Sequence, residues 1–159
     1  MRTVAILGGA AVVLGAFAVV AAFRPGAGIE NLAWVDTSAT NQVQQAAAHA
    51  IETMHGYNYE TIDANFAAIR DVLTPQMRDE FDKTAEVTKQ AAIQTHTVTQ
   101  VEVTHIGTVM LDDAHAELAA YINVSATGDG IAQGSAAAPL RIRMEKIDGH
   151  WLVSELTDS

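Results

Sequence analysis

The chain has 159 residues, a formal net charge of −10 and no cysteine. The absence of cysteine excludes disulfides, thiolate metal sites, a cysteine nucleophile and lipoprotein-type acylation. Residues 25–159 hold seven of the nine basic side chains and all 19 acidic ones. This part therefore repels phosphate groups, which argues against nucleic acid partners and anionic lipid surfaces. Its length of about 135 residues fits one domain with a single core.

The first predicted element is a transmembrane helix in residues 1–24. From Val4 to Phe23, 20 consecutive residues lack any charged, amide or hydroxyl side chain. At about 1.5 Å per residue they cover the roughly 30 Å hydrocarbon core of a bilayer. The run ends at Arg24-Pro25 and is longer than most signal-peptide cores, although a cleaved signal peptide stays open as the alternative. A retained helix puts the N-terminus in the cytoplasm and the remainder outside the plasma membrane.

Small residues recur within this helix at intervals of three and four, so they share one helical face. Small side chains let a second helix approach closely, and close packing is the main attraction between helices in lipid. We therefore predict a helix-packing interface with another membrane subunit. It is formed by Gly8, Ala11, Gly15, Ala18 and Ala22.

Residues 25–35 are predicted to be a linker, and three helices follow it. Asp36 or Ser38 is suited to cap the first helix, and Thr74 followed by Pro75 is typical of the start of the third. Each helix carries one apolar stripe at helical spacing. The stripes are Val43, Ala47, Ala50, Ile51 and Met54; Ile62, Phe66, Ile69 and Leu73; and Met77, Phe81, Ala85, Thr88 and Ala92.

From about Thr95 the apolar period changes to two, which indicates strands. Asp148-Gly149 predicts a two-residue hairpin between the last two strands. The segment Thr127–Ala138, rich in Gly, Ala and Ser, is predicted to be a mobile loop. The order of elements predicts an α+β domain in residues 36–159, with about three helices packed on a curved, mostly antiparallel sheet of four strands.

We predict no catalytic, cofactor or metal site, because the sequence offers few clusters of polar groups that could converge. Its six histidines also lack the spacing of a metal-binding helix. A pocket between helices and sheet is one candidate site. Its predicted lining is Tyr57, Tyr59, Phe66, Phe81 and His105. A partner-facing surface on the sheet is the other, with Glu117 opposite an arginine as a cross-strand ion pair. Its predicted residues are His115, Glu117, Tyr121, Arg141, Arg143 and Glu145.

Taken together, these features resemble the Mce-associated membrane proteins of actinobacteria. The resemblance covers nearly the whole chain and combines the anchor with several short matches. They are Asn31-Leu32-Ala33-Trp34-Val35-Asp36 with Thr40 and Val43; Gly56-Tyr57-Asn58-Tyr59 and Asp63; Leu73-Thr74, Phe81, Lys89 and Ala92; Val101, Val103 and Ala116; and Lys146-Ile147-Asp148-Gly149-His150-Trp151-Leu152-Val153. The closing Asp-Gly-x-Trp pattern is shared with the wider nuclear-transport-factor-2-like superfamily. Three residues precede the apolar run, whereas some members have a long segment there.

This resemblance implies a cone-shaped nuclear-transport-factor-2-like domain outside the membrane, and a non-enzymatic accessory role in an Mce transporter of lipids or sterols. Its partners would be other transporter subunits, and no cofactor is expected. Two alternatives use the cone pocket instead. One is a lipid-binding shuttle, and the other is an enzyme of the ketosteroid-isomerase or cyclase type, for which His105 and Asp63 are the candidate bases.

Overall fold

A computed structural model describes residues 31–158 of the chain. The predicted anchor lies outside this range, and so does its small-residue face, which consists of Gly8, Ala11, Gly15, Ala18 and Ala22. Between residues 31 and 158 the structure contains no helix with the length and apolar character needed to cross a bilayer.

The domain contains three α-helices and five β-strands. The helices are α1 (Thr37–His55), α2 (Ile62–Asp71) and α3 (Pro75–Gln94). The strands are β1 (Tyr57–Asn58), β2 (Val98–Leu111), β3 (His115–Gly128), β4 (Ile131–Ile147) and β5 (His150–Asp158). All strands pair antiparallel in one sheet, in the order β1-β2-β3-β4-β5. This confirms the predicted α+β architecture of three helices on an antiparallel sheet.

The helices begin where the sequence indicates. The Asp36 carboxylate accepts a hydrogen bond from the Ala39 amide at 2.9 Å and caps α1. The Thr74 hydroxyl accepts one from the Met77 amide at 3.4 Å, and Pro75 occupies the first turn of α3. Each cap satisfies one amide that the helix itself leaves unpaired.

The core lies between the helices and one face of the sheet. Strand β3 buries alternate residues, and the same alternation continues in β4. The buried residues are Ala116, Leu118, Ala120 and Ile122 in β3, and Leu140, Ile142 and Met144 in β4. The α1 stripe Val43, Ala47, Ala50 and Ile51 is also buried in the same core. The other face of the sheet is therefore free for polar side chains.

The predicted mobile loop Thr127–Ala138 is wrong. Strand β3 continues to Gly128, β4 starts at Ile131, and a two-residue turn joins them. Asp129 and Gly130 have φ angles of 52° and 75°, which are the positive values that Asp-Gly hairpins favour. The Gly, Ala and Ser residues have low strand propensity, but pairing with β3 along the whole segment supplies the backbone hydrogen bonds that hold it extended.

The predicted inward orientation of His105 is also wrong. A β-bulge interrupts β2 between Val103 and His105, so that His105 pairs with Tyr121 and is exposed. An extra residue in one strand reverses the alternation of the side chains that follow it. As a result Ile106, not His105, packs against the core.

The last part of the predicted linker contacts the domain. Leu32–Trp34 form a 3₁₀ turn, and the Asn31 side-chain amide donates to the Val109 carbonyl while its oxygen accepts from the Leu111 amide, both at 3.0 Å. These bonds place the entry of the chain at the end of the sheet that carries the β2–β3 and β4–β5 turns. The β3–β4 turn lies at the opposite end.

Candidate functional site

The outer face of the sheet carries a network of ion pairs centred on Glu117 and Arg143. Glu117 lies 3.4 Å from Arg143 and 3.5 Å from Arg141, measured from carboxylate oxygen to guanidinium Nε. The other end of the Arg143 guanidinium donates to Glu155 at 2.7 Å. The expected ion pair between neighbouring strands is therefore present, and it extends onto a third strand.

The electrostatics of this network keep Arg143 charged. Partial burial lowers the pKa of Arg143, but the negative charges of Glu155 and Glu117 outweigh it and raise the pKa above its ordinary value. Two carboxylates that share one guanidinium hold its planar group in a fixed orientation. Because Arg143 is nearly half exposed, the network contributes little to stability and is accessible to a partner.

The remaining predicted residues of this surface lie on the same face. The cross-strand register aligns His115 with Glu145, Glu117 with Arg143, and Tyr121 with Pro139. Tyr121 is 48% exposed, which is a large exposed area for an aromatic residue. All six predicted residues therefore share the outer face of β3 and β4, a surface we call the outer sheet face.

Sequence reasoning missed two members of the surrounding network, Glu155 and Asp112. A bulge between Arg143 and Met144 sets the register that brings Glu155 to Arg143. The alternation of residue types along the strands does not predict this bulge. Asp112 accepts hydrogen bonds from the amides of Ala114 and His115 at 2.8 and 2.7 Å. Desolvation alone would raise the pKa of Asp112, but these bonds and the nearby His115 lower it overall. The pair Asp112-Asp113 before a strand is typical of a turn in which an aspartate side chain accepts hydrogen bonds from the backbone amides that follow it.

Aromatic rings fill the predicted pocket between helices and sheet. Phe66 is 4% exposed, and it meets Tyr57 and Phe81 edge-on with ring centroids 6.5 and 5.2 Å apart. The Arg70 guanidinium covers the outer side of Phe81 at 5.3 Å from the ring centroid. Burial raises the pKa of the Tyr57 hydroxyl. These contacts make Tyr57, Phe66 and Phe81 part of the packed interior.

Tyr59 lines a cleft at the surface instead. Its ring contacts His96 with centroids 4.8 Å apart, and His96 Nδ1 lies 2.5 Å from the Asp129 carboxylate. The cleft measures about 450 Å³ and opens to solvent beside Glu60 and Gly130. An open cleft of this kind admits water. A general base with a strongly shifted pKa requires a site from which water is excluded.

The two candidate bases occupy exposed positions. The Asp63 side chain is 82% exposed and pairs with Lys89 at 2.5 Å, and His105 lies on the outer side of the bulge in β2. Within residues 31–158, no cluster of three or more His, Asp or Glu side chains is arranged to hold a metal ion. Neither candidate base is therefore sheltered from solvent.

No family model matches this chain. It is similar to the uncharacterized proteins Rv1362c and MT1407 from two strains of Mycobacterium tuberculosis. The identity is 25% over 124 residues, which cover 77% of this chain and 56% of each relative. The chain therefore spans a little over half the length of the curated relatives it matches.

Solved structures share the fold at low sequence identity. The periplasmic domain of DotI has a TM-score of 0.63 at 13% identity, covering 79% of this chain and 98% of that one. Agrobacterium tumefaciens VirB8 has a TM-score of 0.59 at 13% identity, with 78% and 94% covered. An IcmL-like type IV secretion system protein from Legionella pneumophila has 0.57 at 13% identity, with 75% and 91% covered. These similarities establish a shared α+β fold with a curled antiparallel sheet.

Proposed function

We propose that this chain is a non-enzymatic scaffold subunit of a membrane-protein complex. In this proposal residues 1–24 anchor it in the plasma membrane with the N-terminus in the cytoplasm, and residues 36–159 form a nuclear-transport-factor-2-like domain outside. The observation that carries the proposal is the fold shared with the periplasmic domain of DotI over 98% of that chain. The IcmL-like neighbour is itself a type IV secretion system protein, so this fold serves in a multi-protein membrane assembly.

The interior of the domain supports a scaffold over an enzyme or a lipid shuttle. Both alternatives need a hollow cone, and the rings of Tyr57, Phe66 and Phe81 occupy that space. An enzyme also needs a sheltered base, whereas Asp63 is paired and exposed. A scaffold needs only a rigid, accessible surface, and the outer sheet face has both properties.

The finer proposal is that the complex is an Mce-type transporter of lipids or sterols in an actinobacterial cell envelope. It rests on the matches to the Mce-associated family along the sequence, from Trp34 to the Asp148-Gly149-His150-Trp151 hairpin. The relatives from Mycobacterium tuberculosis agree with an actinobacterial setting. The lipid would then be cargo of the transporter and not a ligand of this domain.

A secretion-type complex is the second candidate, and the fold neighbours favour it. Affinity purification of the tagged full chain from its native membranes in mild detergent distinguishes the two, because mass spectrometry identifies the co-purifying subunits. An Mce transporter predicts an ATPase, permeases and Mce proteins, while a secretion complex predicts a different set. Recovery of this chain without any other subunit would contradict both candidate complexes.

A matched variant tests the predicted role of the anchor in the same experiment. Gly15 lies in the centre of the small-residue face, and Gly15→Leu adds bulk there without adding charge. We expect the variant to remain in the membrane fraction but to lose co-purifying subunits, since close helix packing depends on small residues. Gly9→Leu lies off the five-residue face and serves as the control. Equal recovery with both variants would mean that the helix is a tether only.

A further inference from the structure

One half of strand β4 has a neighbour on only one side. Strand β5 pairs with β4 from Ile147 to Leu140 and ends at Asp158. The preceding segment Ile131–Pro139 pairs with β3 alone, so that within residues 31–158 its other edge meets no strand. We call this segment the β4 edge. Residues 131–137 are exposed, so the helices cover neither face of this part of the segment.

The β4 edge lacks the charged side chains that protect many open strands. Natural edges are blunted by charged side chains, proline, bulges or a covering element. This segment carries Pro139 at one end and a register shift at Gln133, but residues 131–139 contain no charged side chain. Pro139 stands where β5 ends, and proline in a ladder has its nitrogen toward an open edge. Residues two apart direct their amides to the same edge. The N–H groups of Ala137 and Ser135 therefore face outward and are available to a further strand.

The surroundings of the β4 edge are acidic. A cleft of about 490 Å³ leads from the C-terminal end of α1 to Ser135, and its only ionisable lining residues are Glu52 and Glu102. Asp158 ends β5 opposite Leu140. The C-terminal end of α1 adds the negative pole of the helix dipole. Each of these features attracts a positively charged segment.

The same charges disfavour a second copy of this chain at the edge. Two copies paired antiparallel along residues 131–139 would bring Asp129, at one end of the segment, toward Asp158 of the other copy. The whole chain also has a net charge of −10, so two copies repel each other. Like charges set against each other across an interface cost several kcal/mol in general. The occupant that fits is therefore a different protein.

We propose that the β4 edge binds an extended, basic segment of a partner protein as an added strand. Backbone hydrogen bonds to Ser135 and Ala137 would supply the pairing, and lysine or arginine side chains of the partner would meet Glu52 and Asp158. The nine residues of the edge span about 30 Å at roughly 3.3 Å each. This proposal rests on the scaffold function, because it names one of the contacts by which the scaffold holds its complex.

The first test removes one backbone donor. Ala137→Pro deletes the outward N–H and places a ring against an incoming strand, while Ala137→Thr keeps the N–H at the same exposed position. In affinity purification of the full chain from native membranes, we expect Ala137→Pro to lower recovery of the edge-bound partner about tenfold, the effect of one or two lost hydrogen bonds. Ala137→Thr should retain it. Circular dichroism and the thermal midpoint verify that both variants fold.

The second test needs no proline. A photo-reactive benzoylphenylalanine at position 137 of the full chain is cross-linked in native membranes, and mass spectrometry maps the joined peptide. We expect a segment of another subunit that contains Lys or Arg. The double variant Glu52→Gln with Asp158→Asn should reduce this cross-link several-fold, and Glu86→Gln, at an exposed position in α3, should leave it unchanged.

The outcomes separate the two proposals. If the complex is recovered equally with wild type, Ala137→Pro and Ala137→Thr, the edge proposal is overturned while the scaffold function stands. If wild type yields no complex, the scaffold function fails and the edge proposal fails with it. A cross-link to a second copy of this chain, or to a segment without basic residues, overturns the stated partner. Loss with Ala137→Pro together with a mapped basic segment supports it.

Discussion

Replacing Phe66 with alanine tests whether the domain interior is packed or hollow. Phe66 is 4% exposed and makes edge-on contacts with Tyr57 and Phe81. Truncating a buried Phe to Ala costs about 3–5 kcal/mol, and each aromatic pair adds about 0.5–1.5 kcal/mol beyond its buried area. We therefore expect a loss of about 4 kcal/mol in the free energy of unfolding. For a domain of this size, the midpoint of thermal unfolding should fall by roughly 15 °C.

The assay is urea unfolding of the domain from Asn31 onward, monitored by circular dichroism. Phe81→Ala is the matched control. Phe81 is only partly buried, because one side of its ring faces the Arg70 guanidinium, so its loss should be about 2 kcal/mol. The Phe66→Ala cavity should also bind a small apolar ligand such as benzene, which wild type should not. A loss below about 1 kcal/mol for Phe66→Ala would refute the packed interior and restore the lipid-shuttle and enzyme hypotheses.

Three further predictions concern stability and surface. Burial lowers the pKa of His55 below 6.5 despite its hydrogen bond to a backbone carbonyl, so His55 binds a proton more readily in the unfolded chain than in the folded one. The free energy of unfolding should therefore be highest above pH 6.5. It should decrease as the pH falls below 6.5, by at most about 1.4 kcal/mol per pH unit. Urea midpoints at pH 8, 6.5 and 5 check this: His55→Gln should flatten the decline and the exposed His49→Gln should not. Thr74→Ala should cost about 1 kcal/mol as a lost helix cap, against almost none for the exposed Thr84→Ala; equal losses would contradict the capping role. Arg143→Ala should cost under about 1 kcal/mol in thermal unfolding, since its ion pairs are solvent-exposed, yet reduce recovery of the complex; unchanged recovery would remove the outer sheet face from the interaction.

Local chemical signals predicted most of the helical layer. Asp36 and the pair Thr74-Pro75 mark helix starts because few residue types can satisfy free amides or tolerate the first turn. Each apolar stripe repeats at the helical period, so burial of one face follows directly. The face shared by Glu117, Arg141 and Arg143 was predictable because strand alternation fixes it. Which arginine lies opposite Glu117 depends on the register of the β3–β4 hairpin, and the sequence analysis predicted a loop there.

The errors arose where tertiary pairing overrides local preference. Residues 131–138 look like a loop because Gly, Ala and Ser are poor strand formers, but β3 supplies a continuous hydrogen-bonding partner. The Asp129-Gly130 turn carries the same signal as Asp148-Gly149 and would have identified the hairpin. The bulge that turns His105 outward has no marker in its own residues, since it depends on how two strands pair.

The most direct test of the scaffold function is the mass of the native particle that contains this chain. The full chain at its natural expression level is solubilised in mild detergent and weighed by native mass spectrometry, and collisional dissociation then releases the individual subunits. We expect a particle of several different subunits, of which one is this chain. A particle that contains only this 16.9 kDa chain, as a monomer or as multiple copies, would contradict it.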